Sequence, residues 1–173
     1  MTLPPVPRTV AVEPLTTKAF APFGEVIEAG AAARHFSIND GYAERYHALA
    51  HVDIVGAGGH AIVSIFRAKP RVLPMAVERM ERHPLGSQAF VALSPMPFMV
   101  VVAAPAEVLD LSAIRCFLAS TGQGVNYARG TWHHPLIAID GPGDFLVIDR
   151  GGPAVPGNCD EVVLAHGSLW INR

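Results

Sequence analysis

Turn-forming residues cut this chain into short β-prone runs at close intervals, and that punctuation restricts it to folds built from many short strands. Runs at 25–28, 43–47, 61–68, 75–83, 88–93, 98–103 and 145–149 are rich in β-branched and aromatic residues. Between them stand Asn39-Asp40-Gly41, Gly58-Gly59, Gly86-Ser87 and Gly141-Pro142-Gly143. The 16 Gly and 15 Pro suffice for a turn after nearly every run, and this spacing favours a sandwich or barrel. Residues 16–20 predict a short helix with Thr16 or Thr17 as N-cap, ended by Pro22 and Gly24. Residues 111–118 read either as a helical turn begun by Asp110 or Ser112, or as a strand.

At 173 residues, half of them hydrophobic and 16% charged, the chain has the size and apolar content of one domain with one sizeable core. The expected division is a single domain over 1–173, with a proline-rich N-terminal arm at 1–12 and a C-terminal arm at 151–173. A net charge of −2 with no Lys/Arg run gives no footprint for nucleic acid, so a small molecule is the expected partner. Cys116 and Cys159 are far apart and outside any C-x-x-C spacing, which predicts reduced thiols rather than a disulfide framework or thiolate zinc site. The start of the chain lacks a signal-peptide pattern, and the apolar run from Phe98 stops at Pro105. No membrane association is expected, and the expected address is the cytoplasm.

Two clusters carry chemistry. In Glu81-Arg82-His83-Pro84-Leu85-Gly86-Ser87-Gln88, an extended backbone puts Glu81 and His83 on one face and Arg82 on the other. A carboxylate and an imidazole on one wall of a cavity can ligate a divalent metal or share proton transfer. In Gly122-Gln123-Gly124-Val125-Asn126-Tyr127-Ala128-Arg129-Gly130-Thr131-Trp132-His133-His134-Pro135, the adjacent histidines face opposite ways, so one reaches a given cavity, close to Tyr127. Read without context, Glu81 and His83 suit an exposed strand end, and His133 or His134 a histidine satisfied in the core.

These clusters resemble the two cupin motifs, with Glu81, His83 and Gln88 at the first motif's ligand positions and His133 at the second's; Gly122 and Gly130 fit, and Ala128 replaces a proline. The resemblance implies a mainly β, cupin-type (RmlC-like) β-barrel or jelly roll with a few short helices. Glu81, Gln88 and Ala128 depart from the pattern, so the set Glu81, His83, Gln88 and His133 either holds a divalent ion such as Ni, Mn or Zn loosely, or hydrogen-bonds the substrate without metal.

A narrower resemblance rests on Asn39-Asp40-Gly41-Tyr42-Ala43-Glu44-Arg45-Tyr46-His47, Ser64-Ile65-Phe66-Arg67-Ala68, the two clusters above, and Asp149-Arg150-Gly151-Gly152 with Asn158-Cys159-Asp160. These blocks are similar to the ureidoglycolate lyase family, formerly called ureidoglycolate hydrolase. The resemblance implies a homodimer that splits ureidoglycolate into glyoxylate and urea late in allantoin and purine breakdown. Elimination from this substrate needs a cation for the carboxylate, a base for the hydroxyl and an acid for the leaving nitrogen. Arg45 and Arg67 are candidates for the carboxylate, with Arg150 and Asn39 as further substrate-binding candidates. His133, His83 or Glu81 can serve as base, and Tyr127 or the second member of the Glu81/His83 pair as acid. No Gly-rich nucleotide loop is present, so no nucleotide cofactor is expected. Other readings of the same parts are a cupin isomerase, dioxygenase or amidohydrolase acting on a small keto or ureido acid, and a non-catalytic cupin that binds a small ligand.

Overall fold

The computed structural model describes residues 7–153 and 157–173; Pro4 and Pro5 of the expected N-terminal arm lie outside them. The chain opens with β1 (Arg8–Val10), β2 (Val12–Pro14) and the single turn of α1 (Thr17–Phe20), followed by β3 (Gly24–Glu28), β4 (His35–Ile38) and β5 (Ala43–Tyr46). Next come β6 (His60–Ala68), β7 (Met75–Ala76), β8 (Arg79–Arg82), β9 (Gln88–Ala92) and β10 (Phe98–Ala103). The remainder is β11 (Arg115–Ala119), β12 (Gln123–Tyr127), β13 (Trp132–His133), β14 (Ile137–Ala138), β15 (Gly143–Gly151), β16 (Asp160–Val163) and β17 (Leu169–Ile171). The protein is mainly β with a few short helices, as expected.

Two large sheets face each other. One runs β16-β8-β13-β10-β11-β2 with β14 also on β10, and the other runs β3-β12-β9-β15-β6. β10, Phe-Met-Val-Val-Val-Ala, is buried along its whole length because both of its faces are covered. Phe98, Val100 and Val102 point into the space between the sheets, with Phe117, Phe90, Val125, Tyr127, Phe145 and Val147. Met99, Val101 and Ala103 point outward to a second core with Met80, Cys116, Trp132 and Ile171. That outer core is roofed by a small sheet, β1-β17-β7. Residues two apart along β10 thus share a face, and the same parity fixes which side chains of β8, β9, β12, β13 and β15 reach the lumen.

Several expectations are met at residue level. Thr16 caps α1 by accepting from the Ala19 amide. The open reading at 111–118 resolves into a 3-10 turn, Leu111–Ala113, capped by Asp110, and then β11. The run expected at 75–83 divides: β7 belongs to the roofing sheet and β8 to the large one, the chain stepping across where the Val77 amide donates to Leu169 and the Glu78 carbonyl accepts from Leu164. Both expected arms contain strands. β1 lies parallel to β17, β16 pairs with β8 and β17 with β7, because Leu169 and Ile171 are apolar and their burial completes the outer core. Among the described residues, no helix is long and apolar enough to cross a membrane.

Candidate active site in the lumen

β8 ends at Arg82 with Glu81 facing inward, since Met80 on the opposite parity is buried in the outer core. His83 follows with the same inward parity as Glu81. His133 is paired directly with Glu81 across β8 and β13, and its neighbour Trp132 packs outward beneath the Arg82 guanidinium, 5.1 Å from the ring centroid. The neighbouring His134 faces away, beside Arg71 and Met75 on the far side, as alternation requires. Gln88 opens β9 two residues before inward-facing Phe90. Strand parity therefore brings Glu81, His83, Gln88 and His133 to one end of the lumen.

The two imidazoles are held in one tautomer. His83 Nδ1 lies 2.7 Å from the Asn158 carbonyl and His133 Nδ1 lies 3.0 Å from the Thr131 carbonyl. A carbonyl only accepts, so in each neutral ring the hydrogen sits on Nδ1 and Nε2 carries a free lone pair. Both Nε2 atoms are buried without a hydrogen-bond partner among the described residues, and so is Gln88 Oε1. Glu81 Oε1 is 3.3 Å from His133 Nε2, within ion-pair range but outside hydrogen-bond geometry, so both atoms can still face a third. Ligand atoms of Glu81, His83 and His133 all lie within 4.8 Å of one another. Orphaned lone pairs converging in this way, with each Nδ1 anchored to a carbonyl, are what a divalent ion requires of imidazole ligands. The residues present fit such an ion.

Electrostatics keep these groups in their ligating forms. Burial lowers the His83 pKa and the His133 charge lowers it further, despite the Asn158 carbonyl and Glu81. Burial would raise Glu81, but the close His133 imidazole, with His83 and His134 nearby, outweighs it, and its pKa is lowered. Around neutral pH the site thus holds a carboxylate beside a neutral imidazole. Tyr127 reaches the site through its ring, which stacks on His133; burial pushes its phenol well above the usual range.

The arginines are placed differently from the histidines. Arg45 sits on the exposed β4–β5 hairpin, 5.9 Å from the Phe36 ring centroid, and that hairpin pairs with neither large sheet. Asn39, at φ +53, forms its turn and is exposed. Arg67 is bound bidentately to Asp144 at 2.8 and 2.9 Å, its side chain 80% exposed. Arg150 is buried beside the pocket, but its guanidinium donates to the carbonyls of Gly56, Ala57 and Pro153. Asp149 stands in the sequence only within the block Asp149-Arg150-Gly151-Gly152 and is not among the expected site residues. In the structure its side chain lines the same pocket of about 250 Å³ as His83 and Gln88. The signal was legible, since Asp149 is two and four residues beyond the inward-facing Val147 and Phe145.

Fold and site together define a mainly β protein that carries a two-histidine, one-carboxylate cluster in the lumen between its sheets. Comparison with known proteins narrows the class: the ureidoglycolate lyase family profile matches residues 7–172, and the chain belongs to that family. It is 54% identical over 153 residues to a Burkholderia cepacia protein named ureidoglycolate lyase, covering 88% of this chain and 85% of that one. Proteins of the same name from Burkholderia mallei (strain NCTC 10229) and Pseudomonas syringae pv. syringae (strain B728a) are 52% and 48% identical over 164 residues, each alignment covering 95% of this chain and 94% and 95% of theirs. Among solved structures, a Bacillus subtilis oxalate decarboxylase with Mn(II) centres overlaps 60% of this chain and 24% of its own at 17% identity and TM-score 0.40, too loose a likeness to bear on the chemistry.

Proposed function

We propose that this protein is a ureidoglycolate lyase that releases glyoxylate and urea, and that Glu81, His83, Gln88 and His133 hold a divalent ion, Ni, Mn or Zn, in its lumen. The observation that carries the reading, beside family membership, is the convergence of two unpartnered imidazole Nε2 atoms and the Glu81 carboxylate. When bound, such an ion supplies positive charge for the substrate's carboxylate and acidifies its α-hydroxyl. That charge matters because Arg67 and Arg150 are committed to Asp144 and to backbone carbonyls. No lumen group needs to change oxidation state.

The reaction moves one proton. The α-hydroxyl O–H breaks, its electron pair forms the carbonyl of glyoxylate, the carbon–nitrogen bond breaks, and the ureido nitrogen takes a proton to leave as urea. Glu81 is suited to this transfer: its lowered pKa makes it a carboxylate able to accept at one oxygen, and the same oxygen can return the proton to nitrogen. Glu81 Oε1 and His133 Nε2 lie 3.3 Å apart and face the same part of the lumen. Tyr127 packs the wall behind His133, and its raised pKa fits a positioning ring better than a proton donor.

The homodimer implied by the family resemblance has a physical counterpart in β6, a nine-residue edge strand with Ile62, Val63, Ile65 and Phe66 exposed. Long apolar edges of this kind are normally covered. Light scattering on the purified chain tests the subunit count. A place in purine and allantoin breakdown, in the cytoplasm, completes the reading.

Incubation with racemic ureidoglycolate, with and without chelator, tests the activity. Glyoxylate and urea are expected in equal amounts, without ammonia, and with no oxygen from labelled water in the urea. Ammonia in place of urea points to hydrolysis at the ureido carbon and overturns the elimination.

A further inference from the structure

The end of the lumen beyond His83 is built to accept hydrogens. β9 and β15 pair with Ile148 opposite Ala89, which sets Asp149 opposite Gln88 one step further, both pointing inward. The Gln88 Nε2 amide donates to Asp149 Oδ2 at a long 3.5 Å. Among the described residues, Asp149 Oδ1 and Gln88 Oε1 are buried without partners. The guanidinium of the adjacent Arg150 is turned to the Gly56, Ala57 and Pro153 carbonyls rather than to this carboxylate. A buried carboxylate oxygen without a donor is costly, and such an atom facing a pocket matches a ligand that brings N–H groups.

We propose that Asp149 is the residue that binds the substrate's ureido group, accepting hydrogens of its terminal NH2, with Gln88 orienting the carboxylate through its amide. This deepens the reading of the site as a ureidoglycolate lyase and rests on it for the substrate's identity. The two duties of Gln88 are compatible: Oε1 faces the cluster of His83 and His133 while Nε2 holds Asp149. A hydrogen bond from a ureido N–H to an ionised acceptor is charge-assisted and stronger than a neutral one. Asp149 therefore selects ureido acids over simple α-hydroxy acids of the same length, and places the leaving nitrogen between itself and Glu81.

The test compares two uncleaved probes by calorimetry on the intact protein: N-carbamoylglycine, which carries the ureido group, and glycolate, which lacks it. Asp149→Asn keeps the size of the side chain but removes its charge. The variant is expected to bind N-carbamoylglycine roughly tenfold or more weakly than the wild type, while its glycolate affinity stays within about twofold. Equal N-carbamoylglycine affinity in variant and wild type, or parallel loss of both probes, overturns the proposal. Ureidoglycolate turnover is assayed separately on the wild type. A wild type that releases no urea, yet binds N-carbamoylglycine in an Asp149-dependent way, sinks the lyase reading and leaves the ureido site standing.

Discussion

The His133 imidazole lies flat against the phenol ring of Tyr127, their centroids 4.3 Å apart and their planes 17° from parallel. Tyr127 is in turn packed against Phe20 and Phe90, so the wall of the candidate site is continuous with the aromatic core. The ring, rather than the hydroxyl, is what His133 touches. Tyr127→Phe is therefore expected to keep kcat/KM for ureidoglycolate within about threefold, whereas Tyr127→Ala opens a cavity that costs roughly 3–5 kcal/mol. Steady-state kinetics and urea unfolding separate the two. A fall of a hundredfold or more in kcat for a fully folded Tyr127→Phe protein makes the phenol the proton donor instead.

Metal retention should depend on the two imidazoles. His83→Ala and His133→Ala each remove an Nε2 lone pair that no protein group otherwise uses, and bound divalent metal, measured by mass spectrometry after dialysis, is expected to fall from about one per chain to near zero. Loss of a direct ligand should exceed the ~10–100-fold cost typical of losing a supporting contact. Activity should fall with the metal and return to the wild type alone when the ion is restored after chelation. Full activity in exhaustively chelated wild type would show that these side chains act on the substrate unaided.

Stability should fall on acidification in the chelated protein. Burial lowers the folded-state pKa of both His83 and His134 from 6.5, so the unfolded chain binds protons that the folded one resists. Stability gained from the neutral rings is complete well above pH 6.5 and declines as the pH drops through that value. Glu81, lowered from 4.5, adds a second loss as the pH falls below its unfolded value and through its folded one. Urea midpoints between pH 7.5 and 5.5 are expected to decrease, with a shallower slope in His83→Gln and His134→Gln. A midpoint that rises toward pH 5.5 contradicts the burial of neutral imidazoles.

Much of this arrangement was readable in strand parity. The run Phe98–Ala103 is uniformly apolar, with three consecutive valines, and forms a strand over its whole length, and the alternation Glu81, His83 against Arg82 sets two groups inward and one outward. Parity fails where an element ends or leaves its sheet. The break at Val77-Glu78 depends on bonds to Leu169 and Leu164, nearly ninety residues away, which no local window contains. The partners of the arginines were not legible for a related reason. Arg67 lies in an apolar run, but β6 is an edge strand and its outward partner is Asp144. The backbone anchors of the imidazoles, the carbonyls of Thr131 and Asn158, leave no trace in residue type. Strands β16 and β17 were missed because their short runs gain their burial from β7, β8 and the outer core, which are assembled from elsewhere in the chain.

Arg150 offers the sharpest separation between holding the fold and holding the substrate. Its guanidinium bridges three backbone carbonyls across the pocket rim, and the loop is moulded around it: a Cβ on Gly59 would stand 2.5 Å from Arg150 Nε, and one on Gly86 2.9 Å from Arg150 Cβ. A lysine ammonium lacks the planar fork needed to reach all three acceptors. Arg150→Lys should therefore leave buried carbonyls without donors and destabilise the protein by roughly 2–4 kcal/mol. If the side chain holds only the rim, KM for ureidoglycolate in the folded protein stays within about twofold. A KM raised tenfold at unchanged urea midpoint would instead make Arg150 the cation that grips the substrate carboxylate, and would remove the electrostatic reason for assigning that task to a metal ion.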